Sequence, residues 1–333
     1  MKKFFTLISV AVAAMSVQAQ SIWKAAEFDL STAVETELSE GVYGGGTADA
    51  PDTSIPLTIK TSTITATVDG ITMTGVSTPN SLSKKDVEDG KTQVYWELKG
   101  KTADDENPND ALITDDCTPQ FAQYLMPKGN PGFQHWEFYE LNSDEEEVFR
   151  AYDTYWEPGA TVMPAKGAYY KFAATTSGAL RVAIYGNKNT NPTYVVDEAT
   201  LTPMAPANIT VSIYYQNTGF VYEGSVDEGT AKYFNVGPMA DDFVLQHTNG
   251  VTQNRPVLGY IDFDVEAGKT YWLFNPKSQI GIYGFYFASG SAGIANVKAE
   301  LDSNAPRYNL AGQKVAENYK GVVIQNGHKR IQK

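Results

Sequence analysis

The chain of 333 residues carries a net charge of −13 and a single cysteine, Cys117. An acidic surface repels phosphate backbones, which excludes nucleic acid as a partner. A lone thiol excludes an internal disulfide and leaves Cys117 to act as a small buried hydrophobe.

Taken in chain order, the first element is an address. Lys2 and Lys3 precede an apolar run from Phe4 to Val17, and Val17-Gln18-Ala19 supplies small residues for cleavage. Residues 1–19 therefore read as an export signal cut near Ala19, and the loss of two lysines takes the net charge to −15. No later apolar run approaches the ~20 residues that span a bilayer as a helix, so no transmembrane span is expected in the mature chain. What remains is long enough for one large all-β domain or two small ones.

Residues 26–30 are expected to form the first strand, lying beside 281–287 near the other end of the body. Next come 64–68 and 71–74, joined by Asp69-Gly70, a pair suited to a type I′ turn. That turn places Val68 opposite Ile71 and Ala66 opposite Met73. Those four residues and Ile64 then share a buried face, with Thr65, Thr67, Thr72 and Thr74 on the other.

Alternation predicts further strands over 92–98, 132–141, 168–173, 179–185, 193–196, 209–215, 260–265, 270–274 and 280–287. The stretches 168–185 and 260–274 read as two versions of one hairpin: aromatic strand, glycine turn, apolar strand. Many short strands between Gly, Pro, Asn and Asp turns predict an all-β antiparallel sandwich, jelly-roll-like, over residues 20–289. Two domains dividing near 203–206 are the alternative. Ser289-Gly290-Ser291-Ala292-Gly293 opens a linker over 290–305. The charge changes sign there: residues 291–333 hold seven basic and three acidic side chains, leaving the body at −19. Residues 306–333 are expected to form a short C-terminal β-hairpin module.

The chain holds 40 aromatic residues, 20 of them tyrosine. Flat rings can stack on the apolar faces of sugars while neighbouring polar groups bond the hydroxyls. The sequence Tyr155-Trp156-Glu157-Pro158-Gly159 reads as a loop presenting two rings, and loops carry binding residues on rigid scaffolds. Tyr155, Trp156, Trp136 and Trp272 are thus the candidate ligand-binding residues; core packing is the alternative use of such rings, favoured for Trp136 and Trp272.

Acidic clusters at 104–110, 115–116 and 144–147 could hold a structural Ca2+, yet none has EF-hand spacing, and solvated loops are the simpler reading. His135, His247 and His328 are too dispersed for a zinc pattern. No nucleophile elbow, phosphate loop or legible carboxylate pair occurs. No catalytic residue, metal ligand or cofactor is therefore expected.

Two stretches resemble known families. Tyr308-Asn309-Leu310-Ala311-Gly312-Gln313-Lys314-Val315, then Tyr319-Lys320-Gly321-Val322-Val323-Ile324 and Asn326-Gly327, resemble the final part of the C-terminal sorting domain of type IX secretion substrates in Gram-negative bacteria. They also resemble short tails on secreted polysaccharide-utilisation proteins. The resemblance implies that 306–333 engages secretion machinery and that the protein is secreted or held at the outer cell surface. The body, on 168–185, 268–274 and 282–287, resembles the jelly-roll carbohydrate-binding-like modules of the same proteins, which implies a polysaccharide or glycan partner. The combined expectation is a secreted, non-catalytic glycan-binding protein. A structural or adhesive surface protein is the alternative, and a polysaccharide-degrading enzyme the least favoured.

Overall fold

The computed structural model describes residues 21–47, 49–100, 112–113, 119–121, 123–145, 147–188, 190–215, 232–245, 257–289, 307–309, 314–315, 321–325 and 328–332. In chain order the first strands are β1 (Ser21–Lys24), β2 (Val34–Leu38), β3 (Val42–Tyr43), β4 (Ile59–Val68), β5 (Ile71–Ser77) and β6 (Trp96–Lys99). Then follow β7 (Leu112–Ile113), β8 (Pro119–Phe121), β9 (Tyr124–Pro127), β10 (Gly132–Leu141), β11 (Glu147–Tyr155), β12 (Tyr169–Ala174) and β13 (Gly178–Gly186). The body ends with β14 (Tyr194–Asp197), β15 (Thr202–Pro203), β16 (Thr210–Tyr215), β17 (Lys232–Pro238), β18 (Val257–Val265), β19 (Thr270–Phe274) and β20 (Ile280–Ser289). One short helix, α1 (Lys84–Glu88), starts with a capping box between Ser83 and Asp86.

These strands build an all-β sandwich. One sheet runs β17-β16-β18-β13-β20-β9-β6, with β1 also on β20; the facing sheet runs β15-β14-β19-β12-β5-β4-β2. Leu180, Val182 and Ile184 point from β13 into the space between them, where they meet Ile64, Ile71 and Met73. Phe172 and Phe285 lock the middle edge to face at 5.6 Å. Hydrogen bonds also cross between the sheets: Tyr170 Oη donates to the Leu125 carbonyl at 2.9 Å, and Trp96 Nε1 donates to Ser62 Oγ at 3.0 Å.

The β4–β5 hairpin has the register that its Asp69-Gly70 turn dictates. Val68 faces Ile71 and Ala66 faces Met73, with Gly70 at φ +84°, a conformation an L side chain rarely adopts. Thr67 and Thr72 share a hydrogen bond on the outer face at 3.1 Å.

Two expectations are corrected. The strand beside β20 is Ser21–Lys24, paired from Ser21↔Phe287 to Lys24↔Gly284. Residues 26–30 instead turn away through two short 3₁₀ segments, because the Asp29 carboxylate accepts from the Ser31 N–H and stops extension. The stretches 168–185 and 260–274 are not hairpins either. β12 and β13 lie in opposite sheets, as do β18 and β19, while β13 pairs β18 and β12 pairs β19. Each glycine turn is therefore a corner between layers. The two corners are stitched together by Ala174 N–H donating to the Lys269 carbonyl and Gly268 N–H to the Ala174 carbonyl.

Over β14, β19, the start of β12 and the end of β5 the second sheet is apolar on both faces, while its β4–β5 hairpin keeps a polar outer face. Behind the main core, Val76, Tyr169, Tyr194, Val196, Trp272 and Phe274 form a second layer, roofed by Trp156. The unbroken run Tyr271-Trp272-Leu273-Phe274 reflects this double burial. A third, small sheet, β11-β10-β3, carries the hairpin that positions the site.

Residues 291–333 form a separate unit. Its strands β21 (Arg307–Asn309), β22 (Lys314–Val315), β23 (Gly321–Gln325) and β24 (His328–Gln332) make an antiparallel sheet ordered β22-β21-β23-β24. Among the described residues no helix is long and apolar enough to cross a membrane. The export signal, Cys117, the acidic clusters at 104–110 and 115–116, and residues 290–305 lie outside the described residues.

Candidate functional site

Strand alternation divides the β10–β11 hairpin into two chemically distinct faces. Trp136 faces Tyr152 and stacks on it, with Phe138 on the same side. The opposite side is polar: His135 faces Asp153 directly, and Glu137 lies two residues along from His135. The loop before β12 lays Lys166 over this polar face, held by mutual backbone hydrogen bonds between Gly132 and Lys166. Gly167, at φ +106°, makes the turn; a Cβ there would collide with the Asn130 carbonyl.

The result is a buried network of four ionisable groups. His135 is 0 % exposed and Lys166 1 %. His135 Nδ1 donates to Asp153 Oδ1 at 2.8 Å and Nε2 donates to Glu137 Oε1 at 2.7 Å. Lys166 Nζ is in direct contact with Asp153 Oδ1 and lies 3.3 Å from His135 Nδ1. The Ser81 N–H completes Glu137 with a 2.6 Å hydrogen bond.

With both ring nitrogens donating to carboxylates, His135 is an imidazolium. Burial pulls its pKa down, but the hydrogen bonds to Asp153 and Glu137 outweigh burial and the net shift is upward. Burial raises Glu137 and Asp153, yet bonds from His135, together with Ser81 for one and Lys166 for the other, hold both below the usual carboxylate range. Lys166 is pushed down by burial despite Asp153. Two cations and two anions thus cancel. Neither imidazole nitrogen is free to take a proton from a substrate, and among the described residues no group of acids, His or Cys can hold a metal ion.

The signs of these shifts set a pH window. Glu137, depressed, stabilises the fold above its ordinary 4.5, and that contribution is lost as pH falls through its folded pKa. His135, raised, stabilises it below its ordinary 6.5, and that is lost as pH rises through its folded pKa. The gap in melting temperature between the wild type and a His135→Gln/Glu137→Gln variant is expected to be widest between pH 4.5 and 6.5. Thermal unfolding across a pH series measures it.

Asp153 also borders a cleft of about 440 Å³, a size suited to a small ligand. The cleft's other polar lining comes from Asn80, Thr92, Gln93, Asn130 and Gln279, together with the charged Asp86, Lys91 and Lys128. Residues 79–94 form one wall, anchored on β10 by Ser81 on Glu137 and by the Lys84 N–H donating to Tyr139 Oη at 2.6 Å. Every charge bordering the cleft already has an opposite partner. Lys91 Nζ sits 2.5 Å from Asp86 Oδ1, Lys128 Nζ shares Glu97 Oε2 with Lys99 Nζ at 2.7 and 2.6 Å, and Asp153 is held by His135 and Lys166. Among the described residues, the side-chain amides of Asn130 and Gln279 have no protein partner.

The aromatic candidates lie elsewhere. Trp156 is 0 % exposed, edge-on to Tyr194 and Phe274 at 5.4 and 5.2 Å, with Nε1 donating to the Val162 carbonyl. Trp272 lies beside Tyr169, its Nε1 on Glu198 Oε1 at 3.0 Å and Lys171 Nζ over its ring. Trp136 is 2 % exposed. Of the four, only Tyr155 reaches solvent, at 38 %, and it is the last residue of β11, so the strand extends to the position where the loop is expected to begin. The pair cannot present two rings at a turn, because successive strand residues point to opposite sides and Trp156 turns into the second core layer.

Sequence reasoning missed the His135–Glu137–Asp153–Lys166 cluster. The His-x-Glu spacing on a strand was the one signal available, since it places both groups on one face. The chain matches no protein-family model, no curated protein and no solved structure.

Proposed function

We propose that the mature protein is an exported, non-catalytic β-sandwich that binds a neutral glycan in the cleft beside Asp153, with residues 306–333 serving as its address to the secretion machinery and outer surface. The observation that carries the reading is the cleft's lining: amides that both donate and accept, beside charged groups already engaged in ion pairs. Sugar hydroxyls also donate and accept, so amides match them without a net field. The committed nitrogens of His135 favour binding over proton-transfer catalysis.

Affinity electrophoresis of the full mature chain through gels containing neutral or anionic polysaccharides tests this. Retardation is expected on a neutral polysaccharide, unchanged between low and high salt because no charge pairing is involved. Retardation only on anionic gels, abolished by salt, would refute the neutral-ligand reading. The hairpin end exposes Leu141 and Tyr139, which favours the adhesive alternative; capture of a protein partner without any sugar would support it.

A further inference from the structure

We propose that Lys166 and Asp153 condense to an intramolecular isopeptide bond, a covalent cross-link between β11 and the loop before β12.

The geometry supplies each requirement of that reaction. Lys166 Nζ is in direct contact with Asp153 Oδ1, held by a loop fixed to β10 through the Gly132–Lys166 backbone pair. An amine and a carboxyl held this way react as one molecule, an advantage equivalent to a very high local concentration. The nucleophile sits in a dry place, 1 % exposed, and burial lowers the lysine's hold on its proton. A third group is positioned as acid and relay: His135 Nδ1 is 2.8 Å from Asp153 Oδ1 and 3.3 Å from Lys166 Nζ. Glu137, on Nε2 at 2.7 Å, keeps the ring charged and oriented. The cleft that Asp153 borders gives the released water a way out.

The atoms balance without any co-reactant. The Lys166 ammonium passes one proton to Asp153 Oδ1, giving a neutral amine and a neutral acid. The amine lone pair forms the N–C bond at Cγ, and the displaced electron pair moves to Oδ2. His135 Nδ1–H protonates the departing Oδ1 hydroxyl, the Cγ–Oδ1 bond breaks, and water leaves. The carbonyl reforms at Oδ2, and the nitrogen's surplus proton returns the ring to imidazolium. A cation and an anion become a neutral amide and one water, while His135 and Glu137 end as they began.

This inference does not rest on the glycan reading, although Asp153 also borders that cleft, since the bond requires only the hairpin and its loop. Intact mass and peptide mapping of the denatured full mature chain test it. The expected result is a chain lighter by one water, with a branched peptide joining Lys166 to Asp153 and no tryptic cleavage at Lys166. Lys166→Arg, which keeps the charge but cannot form this amide, is expected to restore the full mass. Glu137→Gln is expected to slow bond formation in freshly folded protein. A folded wild-type chain at its full sequence mass, cleaved normally at Lys166, would overturn the proposal. So would a water loss that persists in Lys166→Arg, because it would place the dehydration elsewhere.

Discussion

Trp156→Ala is expected to lower the unfolding free energy by about 3–5 kcal/mol, the usual cost of deleting a large buried aromatic, without weakening glycan binding by the folded protein. The ring is wholly buried, fills the gap over Tyr194 and Phe274, and ties the 157–164 loop through its Nε1 bond to Val162. Truncation leaves a cavity lined by Tyr194, Phe274 and Met163 and strips the outer face of β14 and β19 of its roof. Urea unfolding followed by titration of a glycan against the remaining folded fraction separates the two effects. Normal stability with lost affinity would place Trp156 in a binding surface and contradict its burial.

Glu137→Ala is expected to be at least as damaging, about 3–5 kcal/mol, because removing one member of a buried ion pair strands the other. Two donors lose their acceptor at once, His135 Nε2 and the Ser81 N–H. The second loss releases the anchored start of residues 79–94, so the variant is also expected to bind glycan less well at equal folded concentration. Glu137→Gln keeps an acceptor oxygen for one donor and should fall between. Denaturant midpoints for the three proteins, at unchanged slope, measure the ranking. An alanine variant as stable as the wild type would show that the network is solvated and contributes nothing.

The parts of the fold legible in the sequence are those fixed by local geometry. Asp69-Gly70 admits one kind of turn, and that turn sets every pairing from Val68↔Ile71 outward. The alternation of 179–185 likewise matches the core face formed by Leu180, Val182 and Ile184. Whether two strands joined by a short glycine turn pair with each other or cross to the facing sheet is not local information. Ser177-Gly178 and Ala267-Gly268 look like hairpin turns and are corners, decided by β13 choosing β18 and β12 choosing β19.

The candidate site was hidden for the same reason. Its four ionisable groups come from two strands and a loop, and a lysine or glutamate in a sequence reads as solvated surface until long-range pairing buries it. Aromatic runs point to Trp156 and Trp272 as binding residues, yet their abundance reflects the part of the second sheet, around β14 and β19, that is buried on both faces. The cleft's amides, Asn80, Gln93, Asn130 and Gln279, carry no pattern at all, being separated by 13, 37 and 149 positions.

The most direct test of the neutral-glycan cleft is calorimetric titration of the full mature chain, wild type and Asn130→Ala/Gln279→Ala, with a neutral oligosaccharide retained by the wild type in gels. Both amides border the cleft and neither has a protein partner among the described residues, so the fold should be indifferent to their loss. The double variant is predicted to unfold at the wild-type temperature and bind at least about 10-fold more weakly, the equivalent of one to two hydrogen bonds. Equal affinity in the two proteins, or no heat from any neutral saccharide, would contradict the cleft as the binding site.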